Sequence, residues 1–363
     1  MPSNAVLQRS ITIEQSEWDT LNANPRSKNF VQVQVTIDGK TMNAELRHRG
    51  GHTLGYSKKS YEIRYNRSSG SGFRTLHWNA EYDDPSMMRN ALSFHFLNKV
   101  GVYSPKTNHM ELTWNGESQG VYLEIEAVDR HFFKSRSLGC KSLVYAVNDN
   151  ANFSLTDPYT YEQKESLFKG YQVQLGDNDV KSRLILFIRK INELEGNNLE
   201  KLLYSRLDTT FYLKWLAGAV LTGNYDGFEQ NYALYERSNN GKYRILPWDY
   251  EGTWGRNCYG RICDTDLVDV KGYNKLTEKL FGYRKYRERY KKILLEMLET
   301  EFTLDALTPT IENMHEGIAE AIRGDYTRKH PFQVFASEPS IMRRYIVDRR
   351  DIVMNELEEN WNV

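Results

Sequence analysis

Three side chains in the second half of the chain, Asp226, Asn231 and Asp249, have the types and spacing that phosphoryl transfer asks for. A hard Mg²⁺ ion takes oxygen ligands and is usually held by one or two protein carboxylates, leaving its other places to phosphates and water. Asn231 and Asp249 supply an amide oxygen and a carboxylate, and Asp226 offers a separate carboxylate to orient an acceptor hydroxyl and take its proton. Each residue alone has a plainer reading, since Asp-Gly and Asn-Gly pairs shape turns and an aspartate can cap one. Their joint spacing favours the chemistry.

That spacing depends on the elements around it. A helix ends at Gly223, a loop carries Asp226 and Asn231, and Tyr232–Glu236 and Lys242–Asp249 read as strands joined by the Asn240-Gly241 turn. Counting back equally from the turn places Asn231 opposite about residue 250, so Asn231 and Asp249 share one end of the hairpin. In protein kinases the catalytic-loop aspartate precedes a metal-binding asparagine by the same interval, and a short hairpin leads to a second metal-binding aspartate. Here no His-Arg precedes Asp226, and Tyr250-Glu251-Gly252 follows Asp249 in place of Phe-Gly. Trp248 and Trp254 flank Asp249 and can wall a site or stack on a base, with packing the plainer role for each.

Upstream the chain is β-rich. Val31, Val33, Val35 and Ile37 alternate with polar residues before Asp38-Gly39, and strands follow over Met42–Arg49, Lys58–Tyr65, Asn108–Trp114 and Gly120–Glu126. Ser68–Gly72 reads as a loop. A helix is expected from Asp84-Pro85 to Gly101, with Asp84 as its cap. Arg47, Arg49, Lys58 and Lys59 surround Gly50, Gly51 and Gly55, so a glycine-rich turn precedes a strand-borne lysine. Lys59 shares a face with Tyr61, Ile63 and Tyr65, which points it, rather than Lys58, toward a phosphate. Glu62, Glu81 and Glu111 are open as its carboxylate partner. Arg89 can reach a phosphate, although an exposed helical arginine most often stays solvated. Past residue 126 the chain turns mainly helical, with apolar stripes over Val180–Leu194, Thr209–Leu221, Arg287–Glu301 and Ile341–Glu359, while Asn148–Gly176 reads as a polar excursion. The expected division is a β-rich unit over 1–126 and a helical one over 127–363.

Composition excludes several classes. The 363 residues are 40% hydrophobic and 26% charged, an ordinary globular mix. Lys and Arg total 48 and so do Asp and Glu, so no net positive field draws the chain to nucleic acid or an anionic membrane. Three cysteines make no disulfide framework and fit a reducing compartment. No secretory leader is visible, and the longest apolar run, Phe211–Leu221, carries Lys214 and is too short to cross a bilayer, so a soluble intracellular protein is expected. His48 and His52 are separated by Gly50-Gly51, which removes the helix a zinc pair would need. The basic stretch Arg284–Lys292 has Tyr286 and Tyr290 at helical spacing and reads as a helix with a solvated basic face.

The chain resembles the CotH family, spore-coat atypical protein kinases of spore-forming bacilli. The resemblance rests on Arg49-Gly50-Gly51-His52 with Lys58-Lys59-Ser60-Tyr61, on Asn79-Ala80-Glu81-Tyr82 with Asp84-Pro85-Ser86 and Met88-Arg89-Asn90, and on Gly120-Val121-Tyr122-Leu123-Glu124. It continues through Trp215-Leu216-Ala217-Gly218, Asn224-Tyr225-Asp226-Gly227-Phe228, Asn231-Tyr232-Ala233-Leu234-Tyr235 and Pro247-Trp248-Asp249-Tyr250. What it implies is an α+β, two-lobed, atypical protein-kinase-like fold, with a small β-rich N-terminal lobe and a larger, mainly helical C-terminal lobe. It also implies transfer from ATP with Mg²⁺, or Mn²⁺ in its place, to serines of spore-coat proteins that are Ser-rich and basic. The place implied is the cytoplasm of the sporulating mother cell, then the spore coat, with a role in outer-coat assembly. By motif position Asp226 looks like the catalytic aspartate, Asn231 and Asp249 like metal ligands, and Lys59 like the phosphate anchor. Arg47, Arg89 and Trp248 are the further candidates for the nucleotide, and Tyr122–Glu126 looks like the segment joining the lobes. The alternative is an inactive scaffold that organises coat proteins by contact.

Overall fold

The computed structural model describes residues 6–66, 73–359 and 361, and the Ser68–Gly72 loop lies outside the described residues. The chain forms two compact units. The first gathers the residues up to Ala91 with Pro105–Phe132 and Pro309–Pro339; the second gathers Leu92–Ser104, Phe133–Thr308 and the residues from Ser340 on. A single cut near residue 126 does not describe this division, because the chain returns to the first unit at Pro309–Pro339.

In the first unit seven strands close a barrel: β1 (Leu7–Thr12), β2 (Val31–Ile37), β3 (Lys40–Arg49), β4 (Ser60–Asn66), β5 (Phe73–Asn79), β6 (Thr107–Trp114) and β7 (Glu117–Glu126), in the order β1-β2-β3-β4-β5-β7-β6. Closure comes from parallel pairing of β1 with β6, Leu7 opposite Met110, which leaves no open sheet edge. The alternation read in β2 faces Val31, Val33, Val35 and Ile37 into a core with Leu46, Ile63, Trp78 and Leu112. Asp38 and Gly39 have φ of 52° and 73°, and Asn115 and Gly116 have 49° and 87°, the paired left-handed residues of two-residue hairpin turns. Strands β1 and β5 were not anticipated. In β1 the periodic signal is broken because Arg9, at a buried position, pairs with Glu124 at 3.0 Å.

Asp84 does serve the helix that follows, but from inside a loop. Its carboxylate accepts from the Ser86 and Arg89 amides, each at 2.9 Å, so the helix runs Arg89–Lys99 and starts later than expected.

The second unit holds a four-stranded antiparallel sheet of β8 (Cys140–Ala146), β9 (Tyr171–Leu175), β10 (Tyr232–Arg237) and β11 (Tyr243–Pro247), ordered β11-β10-β8-β9. Strand β8 was not anticipated, and the end of the polar excursion supplies β9. Helix Thr209–Thr222 is capped by Asp208, whose carboxylate accepts from the Phe211 amide at 3.3 Å, and is closed by Gly223 at φ 71°. It is buried on nearly every face, which makes it a rigid post for the loop that follows. Lys214 is accommodated because its ammonium donates to the Val100 carbonyl at 3.2 Å. Among the described residues no helix is long and apolar enough to cross a membrane.

Candidate functional site

Helix Thr209–Thr222 delivers a single turn, Tyr225–Gly227, on which Asp226 sits half-buried. The β10–β11 hairpin brings the other two residues back to it. Tyr232 pairs with Pro247 and Glu236 with Tyr243, so the turn spans Ser238–Gly241 and the register differs by two residues from the one expected. The reason is local: of the Asn240-Gly241 pair only Gly241 is left-handed, at φ 65°, and its amide donates to the Arg237 carbonyl at 2.9 Å. Asn231 and Asp249 still share the open end of the hairpin. Asn231 Nδ2 donates to Asp226 Oδ2 at 2.8 Å, and Gln230 Nε2 donates to Asp226 Oδ1 at 2.7 Å.

Electrostatics set Asp226 apart. Burial is the main cause that pushes its carboxyl up to about 6; the charges of Asp249 and Asp149 add to this, and the bonds from Gln230 and Asn231 oppose it. A carboxyl with that value can exchange a proton near neutral pH, as a proton acceptor must. Asn231 and Asp249 have φ of 55° and 56°, and Trp254 has 52°. Left-handed non-glycine residues are uncommon, and Asn231 and Asp249 are two of them at the open end of one hairpin.

Asp149 was missed by sequence reasoning. It lies on the short turn Asp149–Ala151 after β8, accepts from the Tyr159 hydroxyl, and contributes charge at both Asp226 and Glu229. Its loop is pinned by Lys164, a buried ammonium that donates to Asn150 O at 2.5 Å, Asn152 Oδ1 at 2.7 Å and Ser154 O at 3.1 Å. Burial pushes Lys164 down to about 8. The Asn/Asp-rich stretch Asn148–Asn152 was the available signal, but nothing in its spacing tied it to Asp226 across the intervening residues. Among the described residues no three His, Cys, Asp or Glu side chains gather closely enough to hold a metal by themselves.

The cation assignments change more. Arg47 is engaged by Glu62, with Nε at 2.9 Å and Nη2 at 2.5 Å, and lies 4.6 Å over the Phe30 ring. Arg89 is neither solvated nor turned to a phosphate: it is fully buried between Asp84 at 2.6 Å and Glu338 at 2.7 Å. Both are corrected to structural residues, because an arginine already satisfied by carboxylates has little to offer a ligand.

The alternation counted back from Tyr61 fails at the lysines, since β4 begins at Ser60. Lys58 is the buried one, donating to Val121 O at 2.8 Å and Asp325 at 3.0 Å and lying 4.7 Å from the Tyr122 ring centroid. Lys59 is half-buried and donates to Leu54 O at 2.5 Å. None of the three glutamates considered as a lysine partner plays that part: Glu62 holds Arg47 and Arg64, Glu81 accepts from Asn90, and Glu111 accepts from Gln8. Trp248 is half-buried, with its ring 5.5 Å from that of Tyr145 and tilted by 33°. Tyr122–Glu126, read as a connecting turn, is the end of strand β7.

Comparison with known proteins places these residues in a lineage. The chain is 37% identical over 328 residues to the inner spore coat protein H of Bacillus subtilis (strain 168), covering 90% of this chain and 91% of the relative. It is 28% identical over 301 residues to the inner spore coat protein H-like protein of the same organism, covering 83% and 86%. Among solved structures it aligns with the Helicobacter pylori proinflammatory kinase CtkA at TM-score 0.35 and 12% identity, covering 83% of this chain and 94% of the other. It also aligns with HipA from a Shewanella oneidensis complex of HipA, HipB and operator DNA at TM-score 0.35 and 11% identity, covering 100% and 76%. Likenesses that faint carry no weight here. The family model described as "CotH kinase protein" matches residues 46–353, and with a relative aligned almost end to end, the chain belongs to the CotH kinase protein family.

Proposed function

We propose that the protein is a protein kinase that transfers the γ-phosphoryl group of ATP to serines of spore-coat proteins. The observation that carries this is the joined pair of Asp226 and Asn231 at the hairpin end that also bears Asp249. The acceptor serine gives its hydroxyl proton to the Asp226 carboxylate, its oxygen bonds the γ-phosphorus, and the bond from that phosphorus to the bridging oxygen breaks to release ADP. Gln230 and Asn231 aim the carboxylate. Because Asn231 turns its Nδ2 to Asp226, its Oδ1 points elsewhere; with Asp249 it forms the oxygen set that Mg²⁺, or Mn²⁺ in its place, accepts. Bound there, the ion would neutralise phosphate charge. Lys59 is proposed as the phosphate anchor, since its ammonium has one carbonyl partner, whereas Lys58 is enclosed and paired with Asp325.

An open groove of about 800 Å³ is lined by Glu229, Asp269, Lys271, Asn274, Lys275 and Glu278, a mixed set of charges. A relative named inner spore coat protein H supports the coat as destination, and synthesis in the mother-cell cytoplasm is part of the same proposal. The kinase-like, two-lobed architecture belongs to it as well.

The test is transfer of labelled γ-phosphate from ATP with Mg²⁺ to a Ser-rich basic coat-protein peptide, with Asp226→Asn alongside. Transfer by the wild type alone is expected. No transfer by either, with no nucleotide binding in calorimetry, would favour a coat scaffold.

A further inference from the structure

Glu229 stands three residues past Asp226 in the same loop, and the chain on either side of it is fixed. On one side Phe228 is fully buried, with its ring 5.1 Å from that of Tyr273 and its carbonyl accepting from Asn274 Nδ2 at 2.9 Å. On the other, Gln230 Nε2 donates to Asp226 Oδ1 at 2.7 Å. Glu229 therefore keeps a set place relative to Asp226. It lines the open groove together with residues from 152–154 and 269–282, two segments tied by the Lys275 amide, which donates to Asn152 O at 3.1 Å. The other charges of the groove are settled. Lys275 Nζ donates to both oxygens of Glu278, at 2.7 and 2.9 Å. Asp269 and Lys271 are exposed, opposite in sign and two residues apart, so water and each other screen them. Lys164 lends Glu229 its charge but no hydrogen bond: an ammonium has three hydrogens, and Lys164 gives them to Asn150 O, Asn152 Oδ1 and Ser154 O. Glu229 is half-buried, and among the described residues its carboxylate has no hydrogen bond and no ion pair.

We propose that Glu229 is a specificity-determining residue that binds the cationic side chain of one lysine or arginine of the acceptor, about two to four positions from the serine. The inference rests on the proposed kinase activity and names the side chain by which that site selects its substrate. A partly desolvated carboxylate without a donor is costly, so a partner that brings N–H groups to it is favoured. The interval follows from reach. Three residues of chain span at most about 11 Å, which an extended peptide also covers in about three residues. Because the remaining charges of the groove are paired or screened, the attraction is local to one position of the acceptor and is not a response to its overall charge.

The experiment uses the full chain, ATP, Mg²⁺ and a panel of peptides, each with one serine and one arginine, the arginine moved in turn through the positions on either side of the serine. A peptide without arginine is the reference. For the wild type, kcat/KM is expected to rise about tenfold to a hundredfold when the arginine occupies one or two of those positions, the effect of one charge-assisted bond. The near-isosteric Glu229→Gln is expected to flatten the panel, and Glu229→Lys to move the preference to a glutamate at the same position. Equal rates across the panel for the wild type overturn the proposal without any variant. So does a rise that persists in Glu229→Gln, or a loss in that variant that is the same on every peptide, the reference included. If the wild type transfers no phosphate to any peptide, the proposed activity fails, and fluorescence anisotropy of labelled peptides with alanine in place of serine decides the role of Glu229. Tighter binding with arginine at one position, lost in Glu229→Gln, supports recognition of the cation there, and binding indifferent to arginine overturns it.

Discussion

Buried carboxylates in this protein follow two kinds of logic, and Asp84 and Asp325 in the first unit contrast with Asp226 in the second. In the first unit Asp84 faces Arg89 and Asp325 faces Lys58, and both carboxyls are held below the usual range by those cations despite burial. In the second unit Asp226 accepts from the neutral amides of Gln230 and Asn231 and lies near the charges of Asp249 and Asp149, and it is pushed up to about 6. A buried acid that meets a cation stays ionised and stabilises structure, whereas one that meets amides and like charges keeps a proton within reach. The contrast separates acids that hold the protein together from the one that the proposed mechanism uses.

Removing the chemistry should have the largest effect. Asp226→Asn is expected to lower phosphate transfer by about 10³-fold or more while leaving the circular-dichroism spectrum unchanged, measured against wild type in the peptide assay. Equal activity in the variant would take Asp226 out of the mechanism. Breaking a structural acid should act on folding instead. Arg89→Met leaves Asp84 and Glu338 buried without their cation and should cost about 3–5 kcal/mol in urea denaturation, because an uncompensated buried charge is expensive. A loss below about 1 kcal/mol would mean that water reaches the pair.

The pH dependence carries opposite signs at Asp325 and Asp226. The folded-state carboxyl of Asp325 is depressed, so its stabilisation is present above its unfolded value and is lost as pH falls through the lower folded one. Asp226 is raised to about 6, so its contribution is present below its ordinary value of 3.8 and is lost as pH rises through about 6. Comparing wild type with Asp226→Asn at acid and neutral pH should show a difference of roughly 1–2 kcal/mol, allowing for partial exposure. The transfer rate should rise through the same window as Asp226 ionises. The smallest effect expected is at Asn231. Asn231→Ala removes a hydrogen bond to the ionised carboxylate and should move the Asp226 titration in metal-free protein further upward, read by carboxyl carbon chemical shift. A downward move would contradict the assigned donor.

Much of the site could be read along the chain because local rules governed it. The Asp226-to-Asn231 interval lies within one loop, and the helix that delivers it ends at Gly223 as its C-cap chemistry requires. Asp38-Gly39 and Asn115-Gly116 formed the turns their side chains dictate, whereas Asn240-Gly241 opened into a longer one, so a dipeptide alone did not set the register there. The resemblance supplied the family, and the residues 46–353 matched by its model bear it out.

What the sequence determined by itself was therefore local: the turns, the helix ends, and the presence of an acid, an amide and a second acid at one hairpin end. The tertiary structure alone decided which charges find partners. Arg89 was legible as a helical residue, but only the return of Pro309–Pro339 to the first unit brings Glu338 onto it. Lys58 became the paired lysine because Asp325 arrives from the same distant segment, and Asp149 became part of the site because β8 pairs with β10. Spacing along a chain carries periodicity and turn chemistry, whereas ion pairs depend on contacts hundreds of residues apart, whose energies are settled only when burial removes water from both partners.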